Sequence, residues 1–242
     1  MESIWILRHI YLDKYFLFFL IIIILTGNFN YFIPYFLLLF FHEISHAVTG
    51  IILGYKLERI IFYPLGGVTI INYPVNIPLF SELLIVIAGP LMQILVYLIL
   101  KEYYPFIKLY HYTLLVFNLL PIYPLDGGKI LSIICGYYYS FIKSFNITFI
   151  ISVIMVFFLT IYAVTNFNLN LVLMIILIIS KLINLYRNKF IIYEHFLLER
   201  YLYQYNFHKI KNISSIREFH RDHNHIINFV KEKDYLNKYF HK

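Results

Sequence analysis

Residues 31–53 form an apolar run of 23 residues that carries two histidines and a glutamate at its centre. A membrane helix needs about 20 mostly apolar residues, so the run is long enough to span a bilayer. Similar runs lie at 82–100, 109–135, 147–165 and 169–186. A shorter one at 14–26 follows Arg8 and Lys14. It has no small-residue cleavage site of the secretory kind and leads straight into more apolar sequence, so it reads as a first span that is kept. Hydrophobic residues make up 61% of the 242 and charged residues 14%. An average soluble domain has roughly 45–50% apolar and about 25% charged residues. The expected fold class is therefore an all-α polytopic membrane protein with about six transmembrane helices. The single cysteine, Cys135, excludes an internal disulfide.

Residues 55–78 depart from this pattern. They carry Lys56, Glu58 and Arg59, then Pro64, Gly66, Gly67, Pro74 and Pro78 around the β-prone run 68–73. This composition predicts a strand or hairpin dipping into the membrane interface after the second span. Charge divides the chain a second time. Residues 1–186 hold 9 Lys and Arg against 7 Asp and Glu, whereas residues 187–242 hold 11 against 6 and six of the ten histidines. The expected organisation is a transmembrane domain over 1–186 and a basic, His-rich tail over 187–242. A basic tail beside a membrane suits anionic lipid headgroups and makes nucleic acid an unneeded partner. With six spans both termini share one side. The segments expected on that side carry Arg8, Lys14, Lys56, Arg59, Lys143, Arg187 and Lys189, against Lys101 and Lys108 opposite. Positive residues mark the cytosol, so both termini and the tail are expected there, in a multi-pass protein of a cell membrane.

Ionisable groups inside a span are costly and point to function. His42 and His46, four apart, lie about 40° from each other around a helix, so both imidazoles can face one ion. Glu43 is displaced by about 100° and sits near that ion without having to ligate it. This is the H-E-x-x-H arrangement of zinc hydrolases. The blander alternative, two buried histidines bonded to neighbouring helices, leaves three polar groups to satisfy in hydrocarbon. A catalytic zinc site needs a third protein ligand. Among acids within the spans, Glu82 begins the third at headgroup level. Asp126 lies near the inner end of the fourth, where Pro121, Pro124, Gly127 and Gly128 break the helix. The second and fourth spans both enter from the outer side, which puts His42, His46 and Asp126 at a similar depth. A proline-kinked helix with Asp126 as a cap is the alternative.

The sequence resembles the site-2 protease family of intramembrane zinc metalloproteases. Four features match in order: FHEISHAVTG at 41–50, YPLGGV at 63–68, IAGPLMQ at 87–93 and NLLPIYPLDGGKIL at 118–131. The six-span layout and FLLERY at 196–201 resemble most the sporulation branch, which processes a membrane-associated sigma-factor precursor. The resemblance implies one zinc ion held by His42, His46 and Asp126, with Glu43 as general base. It also implies substrate contacts at Asn118 and at the Gly66-Gly67 loop, a membrane-protein substrate, and membrane inhibitor or scaffold proteins as partners. Relatives in that branch continue into a nucleotide-sensing CBS domain. Only 56 residues follow Tyr186, so the tail is expected to be an abbreviated or degenerate CBS-like module at most.

Two other substrates and another class of function compete. The same chemistry could release an anti-sigma factor or another single-span protein. A metal transporter would instead repeat coordinating residues along a path. The Ala88-Gly89-Pro90 stretch reads as a close helix-packing site. His220, His223 and His225 read as scattered surface histidines, without the cysteines or fixed spacing of a metal site.

Overall fold

The computed structural model describes residues 8–241 apart from Leu65, Asn168, Gln204 and Asn206, so one residue of the YPLGGV loop lies outside the described residues. The chain is mostly helical with two small sheets, and it divides into two units.

The first unit comprises residues 1–73 and 83–119. A short strand β1 (Ile10–Leu12) leads through Asp13, whose carboxylate accepts the Tyr15 amide at 3.0 Å, into α1 (Lys14–Thr26). An acidic N-cap of this kind satisfies one of the donors that a helix start leaves open. Gly27, in the left-handed region at φ 68°, ends the helix. Helix α2 (Phe29–Ile52) follows and carries the H-E-x-x-H residues.

The interrupted segment after α2 forms the expected hairpin, with β2 (Lys56–Tyr63) antiparallel to β3 (Gly66–Asn72). Strand β1 adds to β2 in parallel, Ile10 opposite Ile60, giving the order β1-β2-β3 with β3 on an edge. The register shifts between Leu57 and Arg59. An extra residue there keeps Leu57, Ile60 and Phe62 on one face despite their uneven spacing. That face packs with Phe16, Leu39 and Ala47 into the unit's core. Helices α3 (Leu79–Leu100) and α4 (Ile107–Asn118) complete the unit from Leu83 onward.

The second unit comprises residues 74–82 and 120–242. Its helices are α5 (Asp126–Tyr138), α6 (Phe141–Thr165), α7 (Leu169–Arg187) and α8 (Lys189–Tyr203). The expected single span over 109–135 is thus broken between α4 and α5, where Pro121 and Pro124 remove backbone donors. On α6, Ser144, Thr148, Ser152 and Val156 recur every four residues and are buried. Small side chains at that spacing let α6 approach its neighbours, and it packs against α5 and α7. Ser144 donates to Ser132 O on α5 at 3.0 Å.

The polar tail is a folded module. Strands β4 (Lys209–Ile213) and β5 (His223–Ile227) pair in parallel, and β6 (Val230–Lys231) closes antiparallel on β5 before α9 (Glu232–Phe240). Tyr193, Phe196 and Leu197 of α8 join Ile213, Phe219, Ile227 and Leu236 in a core of its own. The reading of the tail histidines as surface groups is corrected here. His220 and His225 are buried, because His225 is shared between the His220 amide at 2.9 Å and Glu232 at 2.9 Å.

Among the described residues, α2, α3 and α6 are each long and apolar enough to cross a membrane. The segments Leu171–Arg187 and Lys189–Tyr203 qualify together as a pair bent by 56°, and α1 is a shorter apolar helix. Several apolar helices of this kind make the chain a multi-pass membrane protein.

Candidate metal centre

In the first unit the two histidines of α2 stand with their Nε2 atoms 3.2 Å apart and their rings nearly perpendicular. Both are buried. Their outward nitrogens are held by α3: His46 Nδ1 lies 2.7 Å from Ile85 O, and His42 Nδ1 lies 3.1 Å from Gln93 Oε1. A carbonyl oxygen can only accept, so His46 carries its proton on Nδ1. Gln93 Nε2 donates to His111 O at 3.0 Å, which leaves the amide oxygen for His42 and puts that proton on Nδ1 as well. The two Nε2 lone pairs therefore converge. Partners of this kind on the far ring nitrogen orient metal-binding histidines and raise their basicity.

Gly89 forms the floor beneath the pair. A Cβ built there would overlap His46 Nε2 and come within 2.8 Å of His42 Nε2. Packing of helices and chemistry coincide at this residue, so the reading of Gly89 as a packing residue alone was incomplete.

Glu43, also buried, faces the hairpin. Thr69 Oγ1 on β3 lies 2.8 Å from Glu43 Oε2 and 3.0 Å from its backbone oxygen. A Cβ at Gly67 would overlap Glu43 Cγ and reach within 2.9 Å of Oε1. Gly67 therefore lets the strand lie against the glutamate. Gly66 has open space around its Cβ position, and Asn118 ends α4 half-buried.

Asp126 belongs to the second unit. It is buried and is the first helical residue of α5, the cap being Leu125. The positive end of a helix dipole favours a carboxylate at that position. Lys129, one turn on, brings its Nζ to 3.7 Å from Oδ1. The turn before α5 is tight: a Cβ at Gly128 would lie within 2.5 Å of Ile122 O. Tyr123 N donates to Ser152 Oγ on α6 at 3.0 Å, fixing that turn.

Among the described residues, one set of side chains could hold a metal ion: His42, His46 and Asp126. Two neutral imidazoles and a carboxylate suit a borderline divalent ion such as zinc, which keeps a fourth position open in catalytic sites. The donor set, the tautomers and the glycine floor all fit such an ion. Gln93, Thr69, Ile85 and Gly89 are the supporting residues that sequence reasoning missed. Only the IAGPLMQ stretch carried a signal, and for two of them, Gly89 and Gln93.

The sequence profile of Peptidase family M50 matches residues 96–162, and that of the Peptidase M50B-like group matches residues 15–120. Stage IV sporulation protein FB of Bacillus subtilis is 30% identical over 191 residues, covering 74% of this chain and 66% of the relative. A zinc metalloprotease of Methanocaldococcus jannaschii is 32% identical over 179 residues, covering 65% of this chain and 52% of the relative. The chain thus spans between half and two thirds of the length of these relatives. The site-2 protease from Methanocaldococcus jannaschii superposes with a TM-score of 0.53 at 28% identity, covering 70% of this chain and 88% of that one. With the H-E-x-x-H helix, its hairpin and the later aspartate already in place, these similarities make the chain a member of the site-2 protease family, peptidase M50.

Proposed function

We propose that the chain is an intramembrane zinc endopeptidase that cleaves a membrane-associated protein, a sigma-factor precursor in sporulation. The carrying observation is the pair of Nδ1-protonated histidines with Glu43 beside them, braced by Thr69. His42, His46 and Asp126 would hold the ion. When bound, zinc supplies Lewis-acid chemistry, polarising a carbonyl and lowering the pKa of water.

The chain's own residues do the rest. Thr69 fixes Glu43 Oε2, and Glu43 moves the proton at Oε1, from the attacking water to the leaving amine. A substrate helix must unwind before its carbonyls can react, which exposes its main-chain polar groups. Strand β3 lies at a sheet edge, so an unwound substrate can add to it as a further strand. The Gly66-Gly67 start of β3 and Asn118 line the substrate path in this reading. Both termini face the cytosol, and the basic tail lies against lipid headgroups. A membrane inhibitor or scaffold protein would act on this assembly.

Co-expression with a tagged, membrane-associated sigma-factor precursor tests the proposal. Wild type yields a shorter product and Glu43→Gln does not. A single-span anti-sigma factor cut in place of the precursor would keep the enzyme and change the substrate. No cleavage of either, with no zinc in the purified protein, would overturn it. A transport reading gains nothing, since the described residues offer one coordinating set and no succession of them.

A further inference from the structure

The turn at the tip of the tail module breaks a local rule. Strands β5 and β6 are joined by Asn228 and Phe229, with Ile227 paired to Val230 across this two-residue loop. Both loop residues have positive φ, 48° and 67°. Two-residue hairpin loops of this hand favour Asn followed by Gly, because their twist matches that of the flanking strands. Asn228 fits. Phe229 stands where glycine belongs, and a bulky side chain in the left-handed region is sterically penalised. The ring recovers nothing for the fold, since Phe229 is fully exposed. Backbone strain combined with an exposed aromatic ring points to a partner outside the module.

The surroundings of the module identify that partner. Phe141 opens α6, which is long and apolar enough to cross a membrane. Its amide donates to Phe219 O of the tail at 2.8 Å, and its ring stacks on Phe196 at 4.3 Å. Ile142 packs against the same tail core. The module is thus built onto the first turn of a membrane-crossing helix, which keeps it close to the bilayer surface. Charge agrees with that surface. Lys231 and Lys233 are exposed beside the tip, together with Asp234. Glu232 between the lysines is taken up by Arg200 at 2.9 Å and His225 at 2.9 Å. Residues 187–242 as a whole hold 11 Lys and Arg against 6 Asp and Glu.

We infer that Phe229 is an interfacial anchor, its ring entering the boundary between headgroups and acyl chains of an anionic leaflet while Lys231 and Lys233 meet lipid phosphates. The inference rests on the reading of the basic tail as lying against lipid headgroups, and it names the residue that holds the tail there. Apolar area buried at that boundary and attraction to anionic lipids act together in interfacial binding.

The test uses the full chain reconstituted in vesicles of phosphatidylglycerol and phosphatidylcholine. Trp5, the chain's single tryptophan, is removed as Trp5→Phe, and Phe229→Trp supplies a reporter. Its emission is expected to be quenched by lipids spin-labelled high on the acyl chain and shielded from aqueous acrylamide. Lys231→Gln with Lys233→Gln should lower the ratio of inserted to free tip by about tenfold or more, each lysine near an anionic surface being worth about fivefold. An unchanged ratio would overturn the inference. So would a reporter open to acrylamide, or one shielded from it yet untouched by the lipid label, which would put a protein on the ring. A second reporter, Ile210→Trp at an exposed position of β4, separates two failures. Quenching by lipid there but not at 229 would mean that the tail meets the bilayer through another face. Quenching at neither position would remove the headgroup reading itself.

Discussion

Gly89 sits directly beneath His46, so close that a single added methyl group would overlap the imidazole nitrogen that faces its neighbour His42. The rings cannot retreat without losing Ile85 O and Gln93 Oε1 on their far sides. Gly89→Ala should therefore abolish stoichiometric zinc and with it cleavage, while the helix itself gains slightly in propensity. Metal analysis of the purified variant, with circular dichroism as a check on helix content, decides it. Normal zinc content would show that the histidines have room to move.

Gln93 has a distinct part, since it selects a tautomer. Gln93→Leu keeps the volume and removes the acceptor, leaving the His42 N–H buried without it. Zinc affinity is expected to fall about 10- to 100-fold, the range found for partners of metal-binding histidines. Gln93→Glu keeps an acceptor and should retain most of the affinity. Equal losses in the two variants would rule out tautomer control.

What the sequence disclosed follows from distance along the chain. His42, Glu43 and His46 lie within one helical turn, so the periodicity of α2 alone brings them together. The hairpin announced itself through the β-prone run 68–73 set among Pro64, Gly66, Gly67, Pro74 and Pro78. Gln93 reaches His42 across 51 residues, and Thr69 reaches Glu43 across 26; no local rule connects them. The tail module escaped for a related reason. Its strands have five, five and two residues, and its core mixes residues from α8, β4, β5 and α9, so neither a helical nor an alternating pattern runs long enough to register. The three-residue β1 is shorter still.

Thr69→Val removes the hydroxyl from Glu43 at nearly constant volume. The glutamate keeps its place against Gly67 but loses the brace on Oε2. Turnover should fall about tenfold, a modest share of the 10²–10⁴ that a positioned proton carrier contributes. Zinc content should stay at wild-type level. A variant that loses zinc as well would show that the hairpin supports the metal site and not the base.

The tail carries a pH dependence of its own. Burial pushes His220 down to about 4, with Lys211, His223 and His225 adding to the effect. Lys211 Nζ stands 2.9 Å from its Nε2, and a hydrogen bond with the Tyr139 backbone acts against the shift. An unfolded tail takes up a proton near pH 6.5, whereas the folded one does not until about pH 4. The unfolded state binds more protons between those values, so tail stability rises with pH across that window and is level above it. Hydrogen exchange at 209–227 should accelerate as pH is lowered from 6.5 to 5 after correction for intrinsic rates. His220→Gln should flatten the dependence, and an unchanged slope would remove His220 as its source.

The edge of β3 offers the last test, because it bears on how substrate is held and not on how it is cut. A proline in a strand removes one main-chain donor and resists further pairing. Ile70→Pro falls in the middle of β3, after Thr69 and away from Gly67. If an unwound substrate adds to this edge, cleavage should drop at least tenfold, on the order of the 1.4 kcal/mol that separates a made from a missing hydrogen bond. Zinc content should remain intact, since neither histidine touches the strand through the partners that hold it. Cleavage at the wild-type rate would mean that the substrate unwinds elsewhere and that the hairpin serves only to brace Glu43.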